Sequence, residues 1–158
     1  MGTNPTKAAN NIYCQCRKAA ARYNDKLNSR EGAAEQLGYS PSTLAGWELG
    51  TDRPSPEAVL MMADLYHAPE IKKHYCRDEC ILGSDTPKIV ADDLDRITIK
   101  AIVSLKRATE TKDLLLDITE DGIISEDERP ALEQILKNLD EVSTIAQSLK
   151  IWAEKNLR

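Results

Sequence analysis

Apolar residues recur along most of this chain at spacings of three and four, and no stretch sustains the strict alternation of a strand. The pattern predicts helices throughout. A first helix is expected over about 11–23, with Ile12, Cys16, Ala19, Ala20 and Tyr23 on one side. A connection over 24–28 follows, with Leu27 tucked beneath it. Two short helices lie between Ser29 and Gly50, and a further one starts at Ser55-Pro56-Glu57, an N-cap, a proline and an acid in order. It runs to about His67 and buries Val59, Met62, Ala63 and Tyr66; a brief helix then reaches Tyr75. Gly83, Ser84 and Pro87 mark 81–91 as a linker. Two long helices complete the chain, over about 92–119 and 126–156. The first carries a stripe of Leu94, Ile97, Ala101, Leu105, Ala108, Leu115 and Ile118. The second carries Leu132, Ile135, Leu139, Val142, Ala146, Leu149 and Ala153, widened by Ile145 and Trp152, the pattern of a helix packed along its length.

The stretch from Ser29 to Gly50 is the most informative. Ser29 suits an N-cap, Ala33, Ala34 and Leu37 share a face, and Gly38 suits a left-handed helix end. Ser40 caps the next helix with Pro41 at its first position, Leu44 and Trp47 form its apolar face, and Gly50 stops it. The paired alanines let the second helix cross the first closely, the geometry of a helix-turn-helix. These residues, continued through Arg53-Pro54-Ser55 and the helix from Pro56 to Tyr66, resemble the Cro/repressor-type (XRE-like) helix-turn-helix regulators over about 10–70. The wider run, from Asn11-Ile12-Tyr13 to Tyr75-Cys76-Arg77-Asp78-Glu79-Cys80, is similar to prophage-type regulators of Gram-positive bacteria.

The resemblance implies that the second of the two short helices enters a DNA major groove. Carried over, it puts Pro41, Ser42 and Gly46 at base edges, with Ser40 capping the helix and Thr43 and Arg30 nearer phosphate. It also implies that Glu48 pairs with an arginine of the first helix, Arg17 or Arg22. The departure from the usual pattern is chemical. Bidentate base reading needs an amide, guanidinium or ammonium group, and this helix offers hydroxyls, a proline and a glycine. Direct readout is therefore thin, supplemented by DNA shape and by phosphate contacts from Arg17, Lys18, Lys26, Arg30 and Arg53.

Composition refines this picture. The chain has 158 residues, 41% of them hydrophobic and 30% charged, and no phenylalanine, so leucine, isoleucine, valine and alanine must build the core. The net charge of −5 is unevenly spread: residues 1–30 carry six basic groups and one acid, while 31–84 and 85–158 each carry −5. The basic excess falls on the elements that would flank a docked helix. No apolar run approaches the roughly 18–20 residues needed to span a bilayer. The leading residues lack the apolar core of a secretory signal, which points to the bacterial cytoplasm, nucleoid-associated when bound.

Four cysteines, Cys14, Cys16, Cys76 and Cys80, together with His74 offer zinc-ligand chemistry, but neither spacing is that of a two-residue knuckle. Cys14 and Cys16 point about 200° apart on a helix. The competing account makes Cys16 a small core residue, leaves Cys14 exposed, and places Cys76 and Cys80 one turn apart on a helix end. The run from Asp117 to Glu128 has Asp117, Thr119, Asp121 and Glu128 at calcium-loop positions, but it reads as completely as a helix–helix turn. In that reading Gly122 ends one helix, and Ser125 and Glu128 form a capping box for the next. No phosphate loop, nucleophile elbow or metal-binding His-Glu helix is present, so no enzyme activity, cofactor or small-molecule substrate is expected.

The resulting expectation is an all-α protein: residues 1–10 disordered, a five-helix helix-turn-helix domain over 11–80, a linker over 81–91, and an antiparallel two-helix hairpin over 92–158. Such a hairpin leaves apolar surface wet unless it meets a second copy or folds back on the first domain. The expected function is a sequence-specific regulator of transcription that binds double-stranded DNA as a homodimer joined through 92–158. The alternative is a protein-interaction adaptor on the same scaffold with weak or no DNA binding.

Overall fold

Capping side chains set most of the helix boundaries in the computed structural model, which describes residues 7–89 and 92–157. All regular structure among them is helical. The chain divides into two compact units, one ending at Thr86 and the other beginning at Pro87.

In the first unit, Asn11 caps helix α1 (Ile12–Ala20), its Oδ1 accepting from the amides of Tyr13 and Cys14. Ser29 caps α2 (Arg30–Leu37), Ser40 caps α3 (Pro41–Leu49) and Ser55 caps α4 (Pro56–Leu65). A short α5 (Glu70–His74) continues into a π-turn over Tyr75–Glu79. Burial follows the apolar faces: Leu27, Ala33, Ala34, Leu44, Met62 and Ile71 are fully enclosed, and Trp47, Val59 and Tyr66 close round them.

Three expectations change at the leading end. The expected disorder at 1–6 lies outside the described residues, but Lys7–Asn10 forms a 3-10 turn that buries Ala8. Helix α1 stops at Ala20, because the amides of Arg22 and Tyr23 bond back to Ala19 and Ala20 and tighten the chain. Tyr23 is consequently 88% exposed instead of belonging to the apolar face. Finally, Cys14 is buried, as Cys16 is, so α1 is covered on two sides.

The second unit pairs α6 (Leu94–Ile118), capped by Asp93, with α7 (Arg129–Asn156). Thr111 accepts a hydrogen bond from Asn138 at 2.7 Å, and Arg107 meets Glu141 at 2.8 Å, so the helices run antiparallel. The turn between them carries Gly122 in the left-handed conformation at φ 77°. Glu128 accepts there from both the amide and the hydroxyl of Ser125. Helix α7 starts three residues later than expected, with Pro130 in its first turn.

The seam between α6 and α7 follows the expected stripe only in part: Ile97 and Ile118 on α6 and Ile135 on α7 are buried and Ala101 and Ala108 half-buried, while several of its leucines turn outward. On α6 the buried positions are Ile97, Ser104, Thr111 and Ile118, one every seven residues. Leu105 is 61% exposed, and Leu139 and Leu149 of the expected stripe on α7 are nearly half exposed. Two features explain the rotation. Ser104 is a small residue that fits the seam between Ala101 and Ala108, and the Thr111–Asn138 bond needs a position sheltered between the helices.

The side on which the leucines end up follows from helix geometry. At about 100° per residue, Leu105 and Leu116 lie roughly 100–120° round from Ser104, and Leu136 and Leu139 lie roughly 40–100° round from Ile135 in the same sense. In an antiparallel pair equal senses fall on one flank. These leucines therefore share a flank, while Arg107 and Glu141 rotate the opposite way and pair across the other.

Candidate nucleic-acid interface

The α2–turn–α3 segment is built by its caps. Gly38 and Gly50 both sit in the left-handed conformation, at φ 74° and 71°. Each lets the next amide close back on the helix, Tyr39 onto the carbonyl of Ala34 and Thr51 onto that of Gly46, at 3.0 Å each. Tyr39 then packs edge-on to Trp47, with ring centres 4.9 Å apart, and this contact ties the turn to α3. From the other side, the Asn11 side-chain amide donates to the carbonyl of Trp47 at 3.0 Å and anchors α1 to the end of α3.

Beneath α3 lies a buried ionic cluster. Glu48 is fully enclosed and accepts from Arg17 Nε at 2.6 Å, Arg17 Nη2 at 3.2 Å and Arg30 Nε at 2.7 Å. Arg17 Nη1 donates to the carbonyls of Leu27 and Asn28, at 2.7 and 3.3 Å, and Nη2 also donates to Cys14 Sγ at 4.0 Å. Burial works against the charged forms of both partners. The hydrogen bonds and opposite charges outweigh it, holding the Glu48 carboxyl below its ordinary value and the Arg17 guanidinium above.

This cluster resolves the choice between Arg17 and Arg22 in favour of Arg17 and corrects the phosphate assignment. Arg17 is only 4% exposed with its donors committed, so it has nothing left for a phosphate. Arg30 is tied to Glu48 but remains one-third exposed at the start of α2. Between α1 and α2 a cleft of about 300 Å³ is lined by Lys18, Asn28, Arg30 and Glu31, with Cys14 and Arg17 at its floor.

On α3, Pro41 and Ser42 are exposed and Thr43, Ala45, Gly46 and Leu49 half-buried; Leu44, Trp47 and Glu48 face inward. The hydroxyls of Ser40, Ser42 and Thr43 engage one another: Ser40 Oγ lies 2.8 Å from both Ser42 Oγ and Thr43 Oγ1 and also accepts from the Thr43 amide. Gly46 turns toward the following loop. A Cβ there would meet Asp52 Cβ at 3.2 Å, and the Gly46 carbonyl accepts from the amides of Thr51 and Asp52. Gly46 is thus half-buried against the Thr51–Asp52 loop, less open than Pro41 and Ser42. Arg53 is exposed and donates to the carbonyl of Glu79 at 3.4 Å.

Most of the residues considered for metals make other contacts. His74 lies between Asp78 and Glu79, at 3.0 and 3.4 Å, and Glu79 accepts from Tyr13 at 2.6 Å. Burial pushes the Glu79 carboxyl up, but the bonds from His74 and Tyr13 outweigh it and hold it below its usual range. Burial and Glu79 together drive the Tyr13 hydroxyl far above its ordinary value. Cys76 is exposed in the π-turn and Cys80 ends it. In the α6–α7 turn, Glu128 is occupied by Ser125, the Thr119 hydroxyl donates to the carbonyl of Leu115, and Asp121 accepts from the amide of Ile123; Asp117 is exposed at the end of α6. Among the described residues, no three histidine, cysteine, aspartate or glutamate side chains are grouped to hold a metal ion. No helix among them is long and apolar enough to cross a membrane.

Sequence reasoning missed the second half of the ionic cluster. It expected one arginine on Glu48, and the structure adds Arg30 and the carbonyls of Leu27 and Asn28. The signal was weak: a lone arginine directly after an N-cap reads as a surface charge. Comparison of the chain with curated proteins and with solved structures found no significant match. Residues 27–73, which contain α2, α3, α4 and the start of α5, match the family model of a helix-turn-helix domain.

Proposed function

We propose that this protein is a DNA-binding regulator of transcription, of the prophage type its sequence resembles, acting as a homodimer. The observation that carries this reading is an exposed leading end of α3 together with cations on the neighbouring elements. Pro41 and Ser42 are solvent-exposed there, Lys18 and Arg30 line the cleft before α2, and the exposed Arg53 follows α3 by four residues. Backbone phosphates meet these cations: Lys18 and Arg30 at the cleft before α2, and Arg53 beyond the end of α3. The leucine flank of the α6–α7 hairpin joins two copies, so that two α3 helices address two half-sites.

The test is retention of the full chain on random-sequence duplex DNA as salt is raised. Binding at low salt with a steep loss on raising it is expected. The double variant Lys18→Ala/Arg53→Ala should weaken binding to all sequences alike and shallow the salt slope by about two. An unchanged slope removes these two contacts from the proposal.

Sedimentation tests the dimer. The double variant Leu105→Lys/Leu139→Lys changes side chains that are 61% and 47% exposed, so the hairpin should stay helical while the dimer falls to a monomer. A wild-type monomer at tens of micromolar refutes the homodimer. The uncharged face of α3 favours one other reading, a protein-interaction adaptor; a stable dimer that ignores duplex DNA even at low salt would support it.

A further inference from the structure

We infer that α3 reads thymine methyl groups, so that the preferred operator half-sites carry thymines where α3 lies. The inference rests on the DNA-binding reading above and specifies its ligand. Helix α3, Pro-Ser-Thr-Leu-Ala-Gly-Trp-Glu-Leu, contains no glutamine, asparagine, arginine or lysine. Its single ionisable residue, Glu48, is fully buried and held by two arginines. The hydroxyls at its leading end are engaged with one another at 2.8 Å. Beside the exposed Ser42, what the helix offers outward is mostly carbon: the exposed Pro41 ring and the half-buried Ala45 methyl group and Leu49 side chain, at successive positions four apart.

Residues four apart form one ridge along a helix. From Pro41 to Leu49 this ridge is roughly 12 Å long at about 1.5 Å per residue. That length matches three to four base-pair steps of about 3.4 Å. In the major groove every base pair presents hydrogen-bonding atoms, thymine O4 and adenine N6 and N7 included, but a G·C pair adds no methyl group, so burying its edge against carbon leaves those atoms unpaired with nothing to offset the loss. Thymine alone presents a methyl group, and burying it against proline, alanine and leucine is favourable. The same ridge therefore attracts thymine and penalises guanine and cytosine.

The experiment uses the full-length protein. Duplexes are selected from a random pool, and the best is then resynthesised with deoxyuridine for thymidine in the half-sites, which removes the methyl groups and leaves base pairing unchanged. Selected half-sites are expected to carry thymines, and each contacted methyl group that is removed should weaken binding roughly fourfold, the effect of one buried methyl. Equal affinity for the uracil duplex, or selection of guanine at these steps, overturns the inference while DNA binding stands. Failure to retain any duplex at low salt overturns both.

Discussion

Glu48→Ala is expected to destabilise the N-terminal unit by about 3–5 kcal/mol, the usual cost of removing one partner of a buried ion pair. The size follows from what stays behind. Arg17 is 4% exposed and cannot reach water when its carboxylate goes. Arg30 is one-third exposed and can swing out, so most of the penalty falls on Arg17. Urea unfolding followed at Trp47 measures the loss. The double variant Arg17→Met/Glu48→Leu should recover most of it, because an apolar pair of similar volume leaves no charge stranded. A single variant within about 1 kcal/mol of wild type would mean that water enters the cluster freely.

The same site sets an acid limit. The folded Glu48 carboxyl titrates below the ordinary value of 4.5, so its folded pKa is the depressed one. The stability it contributes is then complete above about pH 4.5 and is lost as the pH falls through the folded value. Unfolding midpoints measured from pH 7 down to pH 3 should drop on the acid side, and Glu48→Gln should flatten that limb while lowering the plateau at neutral pH.

Gly32→Ala is expected to destabilise by about 1–3 kcal/mol, against the usual sign for a helical glycine. Alanine normally gains about 1 kcal/mol at such a position. Here the new Cβ would lie 2.2 Å from the carbonyl oxygen of Lys26 and 3.0 Å from its carbon. Those atoms belong to the backbone of the 3-10 turn Asp25–Asn28, which must move by more than an ångström to make room. That turn carries the fully buried Leu27, whose carbonyl accepts from Arg17 at 2.7 Å, so both the core and the ionic cluster resist the shift. Gly46→Ala is the control: its Cβ would meet only exposed side chains, Asp52 at 3.2 Å and the Thr51 hydroxyl at 3.5 Å, and should be nearly neutral. Thermal melts of the two variants check the contrast, and a more stable Gly32→Ala would show that the turn yields.

These effects separate what was legible in the amino-acid order from what was not. Helix boundaries in the first unit were legible because caps are local: Ser29, Ser40 and Ser55 bond to amides three residues away, and Gly38 and Gly50 need only their own left-handed backbone. The helix-turn-helix and its inward residues Leu44 and Trp47 followed from those caps and from apolar spacing. The depth of Arg17 was not legible, because its ligands come from positions ten, eleven and thirty-one residues away. Cys14 likewise lies on a face that periodicity calls polar, but the cluster beneath α3 covers it.

The hairpin shows the division most clearly. Its two helices, their lengths within a few residues and the glycine turn between them are written in the local sequence. The exact face of each helix that turns inward is not, because the seam on α6 keeps Ile97, Ala101, Ala108 and Ile118 of the expected stripe but takes Ser104 and Thr111 in place of Leu105 and Leu115, and Thr111 finds Asn138 across the gap. The sequence by itself therefore determined the elements, the caps and the lack of amide, guanidinium or ammonium base readers on α3. Only the tertiary structure decided that Arg17 serves Glu48 and that the hairpin's leucines face outward, because both depend on distant groups meeting in space and competing for the same burial.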